Sequence, residues 1–196
     1  MIPFPNKKYQ IILADPPWIF DSYNDKWQME NNASRWIGQK YPLMGIEDIY
    51  NLNVSKIAEK NSVLFLWVTF PRLQEGLKTI KKWGFEYKTN AFTWVKKNKK
   101  TDSLFWGMGY YTRSNAELCL LATKGNPLPR LSHKIHSVIE THIENHSKKP
   151  SEVRSRIVEL FGDLPRIELF ARPPKDRLFE DESYKGWDLW GDECQD

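Results

Sequence analysis

Asp15-Pro16-Pro17-Trp18 follows directly on the apolar run Tyr9-Gln10-Ile11-Ile12-Leu13-Ala14. An acid, two prolines and an indole make an unusual end for a buried strand. Each proline holds φ near about −65° and lacks a backbone donor. The residue before each proline is pushed to extended geometry. The carbonyls of this stretch therefore point in set directions and cannot be absorbed into a helix. With the Asp15 carboxylate they supply hydrogen-bond acceptors, and Trp18 supplies a flat apolar plate. A planar base whose exocyclic amino group offers two N–H donors matches that set. A stiff turn, with Asp15 as a cap and Trp18 as core filler, would use the same four residues.

Two further groupings carry possible chemistry. Lys96, Lys97, Lys99 and Lys100 precede Leu104-Phe105-Trp106 and Tyr110-Tyr111-Thr112-Arg113. Basic residues interleaved with aromatics suit phosphate contact and base stacking; a solvated lysine loop beside partly buried rings is the plainer alternative. Near the C-terminus, His146-Ser147-Lys148-Lys149-Pro150 opens a helical stretch. A lysine there opposes the helix dipole, so it does not serve that helix. With exposed backbone N–H groups it makes a pocket for a carboxylate, although a solvated basic turn would look alike. Gly186-Trp187-Asp188-Leu189-Trp190-Gly191-Asp192-Glu193 then brings acids able to accept from ribose hydroxyls, while Trp190 reads as a ring packed on the core.

Other chemistries find little support. His133, His136, His142 and His146 lack paired cysteines or a ligating set of carboxylates, so no metal site is expected. There is no G-x-G-x-x-G, no Walker A and no nucleophile elbow.

The elements that must position these residues alternate. Strands are predicted at Tyr9–Ala14, Val63–Val68, Tyr87–Val95, Glu117–Ala122, Ser137–Glu140 and Arg166–Phe170. Helices are predicted at Ile46–Tyr50, Val54–Lys60, Arg72–Trp83 and Ser151–Phe161. In the last, Val153, Ile157 and Leu160 form one apolar face; in Arg72–Trp83, Leu73, Leu77 and Ile80 do. Alternating strands and helices predict an α/β fold with a mostly parallel sheet and its ligands at the carboxyl ends of the strands. Asp15-Pro16-Pro17-Trp18 falls at such an end. Asp21–Gln39, Lys97–Ser114 and Asn126–His136 read as long loops forming a binding rim.

The 196 residues are read as one domain, 1–196, with a core that needs no disulfides. Cys119 lies in an apolar run and reads as a core residue; with Cys194 the count implies a reducing, cytoplasmic setting. The longest apolar run, Val63–Val68, is too short to span a bilayer, and no signal-peptide segment opens the chain, so no membrane partner is expected. A net charge of +4 permits a nucleic-acid partner without requiring one.

In order along the chain, Asp15-Pro16-Pro17-Trp18, Leu64-Phe65-Leu66-Trp67-Val68-Thr69, Trp94-Val95-Lys96, Lys124-Gly125-Asn126-Pro127, His146–Pro150, Ile167–Arg172 and Gly186–Glu193 resemble the adenine amino-methyltransferases. That family includes the catalytic subunit of the messenger-RNA adenosine methyltransferase and bacterial and phage members that act on DNA. The resemblance runs from about Tyr9 to Glu193. It implies a Rossmann-like methyltransferase fold with helices on both sheet faces and the catalytic motif ahead of the cofactor motif, a permuted order. The implied cofactor is S-adenosylmethionine. The implied catalytic residues are Asp15, Pro16, Pro17 and Trp18, with Trp18 stacked on the target ring. Lys149 would hold the cofactor's carboxylate, Phe170 and Arg172 would line its cleft beside Asp15, and Asp192 and Glu193 would bind its ribose. Trp94, Lys96 and Glu117 match positions near the target base.

Two departures stand out. An Asn-Gln pair of the messenger-RNA enzyme is replaced by Asp192-Glu193, which still accept from hydroxyls. That enzyme's adenine-binding segment lies further upstream, leaving Ile2–Pro5 as the candidate here.

A duplex hides the target nitrogen, so a DNA substrate implies base flipping or single-strand use. Lys97, Lys99 and Lys100, in the loop Lys96–Arg113, are the candidate residues to offset that cost. The chain shows no appended RNA-binding module, which favours DNA over RNA. Glutamine-amide methylation and a non-catalytic partner subunit are the alternatives; retention of both Asp15 and Lys149 argues against the second. A homo- or heterodimer is compatible with the sequence.

Overall fold

The computed structural model describes residues 2–18, 44–144, 148–173 and 181–194. The predicted loop at Asp21–Gln39 lies outside them, as does His146. Seven strands form one sheet: β1 (Tyr9–Ala14), β2 (Ala58–Val68), β3 (Glu86–Lys97), β4 (Ala116–Lys124), β5 (Val138–His142), β6 (Arg166–Leu169) and β7 (Asp188–Trp190). Their order across the sheet is β5-β3-β4-β2-β1-β6-β7. β1 pairs in parallel with both β2 and β6, β6 with β7, and β3 with β5. Only β4 runs antiparallel, to β2 on one side and β3 on the other. The mostly parallel sheet expected of an α/β methyltransferase fold is therefore present.

Helices cover both faces, and the side-chain alternation of the strands shows why. Ile12, Ala14, Leu64, Leu66, Val68, Leu120, Ile167 and Leu169 share a buried cluster with Ile49 of α1 (Ile46–Asn51) and Ile80 of α2 (Leu73–Lys82). Ile11, Leu13, Val63, Phe65, Trp67 and Cys119 face the other way, onto Val153 and Ile157 of α3 (Glu152–Phe161). A parallel strand covered on both sides needs apolar residues at every position, as the Ile11–Ala14 run has.

Two expectations need correction. Val54–Lys60 is not a helix: a single 3₁₀ turn at Val54–Lys56 leads into β2, which starts at Ala58 and so extends the predicted strand toward the N-terminus. The apolar face of α2 is also rotated from the predicted stripe. Leu77 is exposed, while Gly76, Thr79 and Ile80 are buried. A Cβ on Gly76 would come within 2.9 Å of the Val68 side chain, so α2 rests on β2 through its smallest residue. Leu77 is thereby turned outward. β7 is a strand that sequence periodicity missed; at three residues it is too short to show an alternation.

The parallel arrangement gathers the candidate residues at one end of the sheet. Asp15 follows β1, Phe170–Arg172 follow β6, Asp192 and Glu193 follow β7, and Lys96 lies near the end of β3. Glu117 is there too because β4 runs the opposite way and begins at that end.

Candidate active site

Ala14 faces the α1–α2 side, so the next residue, Asp15, turns toward α3. Its carboxylate Oδ2 accepts from Lys149 Nζ at 2.8 Å and from Arg172 Nη2 at 3.0 Å. Both bonds fall on the same oxygen, and Oδ1 takes part in neither. Lys149 Nζ also lies 3.3 Å from Glu117 Oε2, and Lys96 Nζ donates to Glu117 Oε1. The result is a line of alternating charge, Arg172–Asp15–Lys149–Glu117–Lys96, joining the ends of β6, β1, β4 and β3. Side-chain exposure is only 13% for Asp15 and Glu117 and 15% for Lys149, so these are largely desolvated pairs whose attraction water does little to screen.

Two indoles lie under the cations. Lys149 Nζ is 5.7 Å from the ring centre of Trp67, and Lys96 Nζ is 4.8 Å from that of Trp94. The two rings meet edge to face at 6.4 Å. Burial alone would lower the Lys149 ammonium, but the charges of Asp15 and Glu117 outweigh it and hold the group above its ordinary range. Burial would likewise raise Glu117; Lys149 and Lys96 outweigh it and the carboxyl sits below its usual value. Lys149 and Glu117, at the middle of this line, are therefore charged at neutral pH in the sense their neighbours require. Cys119, beside it, is different: burial holds its thiol well above the ordinary range, so it stays a neutral core group.

Beside Asp15 opens a cleft lined by Asp15, Pro17, Phe170, Ala171, Arg172, Asp192 and Glu193. Phe170 has φ of +61°, the only such non-glycine residue among those described. A phenylalanine in the left-handed region costs about 1–3 kcal/mol, and such strain is typically retained where a chain must re-aim groups at a site. Here it turns the chain sharply out of β6 so that Phe170 and Arg172 both reach the cleft. Phe170 meets Trp190 edge to face at 5.4 Å, and Phe4 lies on the same indole at 4.6 Å. Trp190 is buried, as expected, and its Nε1 donates to Pro3 O. The N-terminal segment Ile2–Pro5 thus reaches the Trp190 side of the cleft.

Trp18 does not present an open plate. It is 6% exposed, belongs to the α1–α2 core and donates from Nε1 to Trp67 O at 3.2 Å. Its backbone N–H donates to Pro16 O at 2.8 Å, which closes the turn and uses one lone pair of the Pro16 carbonyl. The indole is a brace between the ends of β1 and β2, and a base cannot stack on it as it stands.

Of the lysines read as substrate contacts, Lys97 is 3.4 Å from Glu140 and 3.9 Å from Asp102, whereas Lys99 and Lys100 are exposed on a turn. Lys97 is the last residue of β3, and Lys99 and Lys100 lie on the excursion beyond it, all three outside the buried charge line. Sequence reasoning also missed a support beneath the cleft. Arg154 of α3 donates to both Glu168 oxygens, at 2.6 and 3.1 Å, and its guanidinium stacks on Tyr184 at 3.7 Å. Tyr184 Oη donates to Arg172 O and Cys194 Sγ to Ala171 O, both at 3.3 Å, fastening the turn that carries Phe170. The signal was available: an acid between Ile167 and Leu169 in a wholly buried strand demands a buried cation.

The chain is similar to known proteins. The chain is 34% identical over 206 residues to a Mycoplasma protein named type II methyltransferase M.MunI, spanning 98% of this chain and 80% of that one. It is 29% identical over 167 residues to the human N(6)-adenosine-methyltransferase catalytic subunit METTL3, with 85% of this chain but 26% of that protein covered. A Drosophila melanogaster protein, N(6)-adenosine-methyltransferase MT-A70-like, is matched to the same extent. This chain thus spans about a quarter of the length of the two animal relatives. The MT-A70 pattern itself matches residues 9–193, from the strand that delivers Asp15 to the acid at the far side of the cleft, and the chain belongs to the MT-A70 family.

Proposed function

We propose that this chain is a single-domain enzyme that moves a methyl group from S-adenosylmethionine to the exocyclic amino group of adenine in nucleic acid, with DNA favoured over RNA. The observation that carries the reading is the position of Asp15. It is a wall of the cleft and, through Lys149 and Glu117, the neighbour of Lys96 and Trp94.

The cleft's chemistry fits the cofactor. Asp192 and Glu193 supply acceptors for ribose hydroxyls, Pro17 and Phe170 supply apolar walls, Arg172 supplies a cation for a carboxylate, and Lys149 stands behind Asp15 as a second one. When bound, S-adenosylmethionine supplies a methyl group made electrophilic by its sulfonium.

The protein's task is then to present a weak nucleophile correctly. The amino nitrogen of adenine has its lone pair delocalised into the ring. Asp15 Oδ1 and the remaining lone pair of the Pro16 carbonyl accept its two N–H groups, which favours a pyramidal nitrogen. Lys149 and Arg172, both on Oδ2, fix the carboxylate's rotation so that Oδ1 faces the substrate. Pro16 and Pro17 hold the backbone stiff, and Trp18 anchors the turn to β2. Orientation of this kind supplies up to about 7–11 kcal/mol in favourable cases. Asp15 need not be a strong base, because the methylated nitrogen is itself acidic until it loses a proton.

The DNA preference follows the extent of similarity: the match covers 80% of the type II methyltransferase and 26% of METTL3. The cytoplasm is the compartment this reading implies, and no described helix is long and apolar enough to cross a membrane. The test is transfer of labelled methyl to DNA and RNA of matched sequence, with Asp15→Ala as control. Transfer to adenine in DNA, lost in the control, is the expected result. Undiminished transfer by Asp15→Ala overturns the mechanism, and stronger transfer to RNA overturns the DNA preference.

A further inference from the structure

Half of the large apolar side chains that stand exposed among the described residues lie within eight positions: Leu104, Trp106, Met108, Tyr110 and Tyr111. Tyr110 and Tyr111 are 96% and 94% exposed, with their rings edge to face at 5.0 Å. Nothing in β3 or β4 requires this. The two strands could be joined by a short turn, yet the chain leaves the sheet after Lys97 and returns at Ala116.

The excursion is held at its base. Phe105 N donates to Lys96 O and Lys96 N to Asn115 O, both at 2.8 Å, and Asn98 N donates to Ser103 O at 2.9 Å. Ser114 N donates to Gly107 O further out. The outgoing and returning segments touch so closely that a Cβ on Gly107 or Gly109 would lie 2.0 Å from Ser114 O or 2.1 Å from Thr112 O. Arg113 covers Trp106, its guanidinium 4.2 Å from the ring centre. A clamped base with bare rings at the end describes a tool rather than a slack loop.

Its charge names the partner. Residues 98–115 contain Lys99, Lys100 and Arg113 against one acid, Asp102. Two copies paired through this tip would set those cations against their own equivalents, on chains already carrying +4 each. A polyanion suffers no such penalty.

Position completes the case. The clamp falls on Lys96, the end of the buried charge line, and the five residue steps from Phe105 to Tyr110 reach at most about 17 Å from it. That is of the same order as the roughly 12 Å width of a duplex major groove.

We propose that the 104–113 tip is a wedge: Tyr110 and Tyr111 enter the duplex beside the target adenine and occupy the space the base leaves when it swings to Asp15. The inference rests on adenine methylation as proposed above and adds the duplex as the form of substrate this surface recognises. Unstacking and unpairing cost a few kcal/mol, and apolar side chains inserted between base steps are a known way to offset it. Lys99 and Lys100 bind phosphates flanking the opened step. A single strand has no step to open, so the wedge contributes nothing to methylating it.

Tyr110→Ala/Tyr111→Ala tests this with one fragment of adenine-unmethylated DNA, used native and heat-denatured, with labelled S-adenosylmethionine. Native-duplex transfer falls at least about tenfold, the equivalent of 1.4 kcal/mol, while transfer to denatured strands changes less than about twofold on the same scale. Equal losses on both forms, or none on the duplex, overturn the wedge. A shift from dimer to monomer in sedimentation, with equal losses on both forms, assigns the tip to a second copy and also overturns it. An unchanged melting temperature checks that the exposed substitutions leave the fold intact.

Failure of the unaltered protein to methylate either form overturns the proposed function instead. Binding of the two proteins to the native duplex, by fluorescence anisotropy, then decides the wedge: tighter binding by the unaltered protein supports it, and equal binding overturns it.

Discussion

At the end of the sheet, Lys96 and Lys149 lie over Trp94 and Trp67, and each has a carboxylate within bonding distance. In the 98–115 excursion, Lys99 and Lys100 share a segment with Trp106, Tyr110 and Tyr111, but acids are outnumbered three to one. The same residue types thus serve two purposes. In the buried line, water is excluded and every charge must find its opposite inside the protein. In the excursion, water satisfies Lys99 and Lys100 and the two tyrosine rings remain bare, so the partner comes from outside. The first region is built to hold one geometry, the second to meet a polyanion.

The sharpest way to break this contrast is to remove one charge from each region. Asp15→Asn keeps the shape but leaves Lys149 and Arg172 without their shared carboxylate. Single-turnover methyl transfer should fall on the order of a hundredfold or more, as when one preorganised polar group is deleted from other active sites. Lys149→Met removes the cation shared by Asp15 and Glu117, leaving Arg172 on one and Lys96 on the other, and should cost less than about 3–5 kcal/mol, the cost of a buried charge left with no partner. Urea denaturation should show that loss, and calorimetry should show loss of S-adenosylmethionine binding. Replacing Lys99 and Lys100 by alanine should instead move stability by no more than about 0.5 kcal/mol. Its effect should appear as a shallower dependence of DNA affinity on salt, by about one unit of slope per phosphate contact removed.

The pH dependence separates the regions further. Glu117 has its carboxyl depressed below 4.5, so its contribution to stability is present above that value and lost as pH falls through the lower folded value. Lys149 is raised above 10.5, so its contribution is present below that value and lost as pH climbs past it. Between these limits the Lys149–Glu117 pair should be indifferent to pH. Thermal melts across the acid range should show a steep limb that Glu117→Gln reduces, whereas the Lys99/Lys100 double variant should keep the limb intact. A modest effect is expected of Tyr184→Phe. It removes one 3.3 Å bond to the Arg172 carbonyl, worth about 0.5–1.5 kcal/mol, and should weaken cofactor binding more than it lowers the melting temperature.

Much of this was legible along the chain. The run Tyr9–Ala14 is a strand with the predicted boundaries, because continuous apolar character followed by two prolines leaves little other choice. Helix α3 begins within one residue of its expected start, set by Pro150. Trp18 shows the limit. Its type suited a stacking plate and a core residue equally, and the neighbour that decided, the Trp67 carbonyl, is 49 residues away. The Arg154–Glu168 pair was legible only in half: Glu168 announces a need for a cation but does not say which one.

Local sterics and apolar periodicity were enough to set the strand that ends in Asp15, the order of the motifs and the need for buried partners. They did not determine which lysine meets which carboxylate. Asp15 and Lys149 are 134 residues apart, and Arg172 lies 157 from the same oxygen. Only the sheet order, with β4 reversed beside β2, brings Glu117 to the end where Asp15 stands. Charge pairing acts over a few ångströms, and which groups come that close is decided by the packing of the sheet rather than by spacing along the chain.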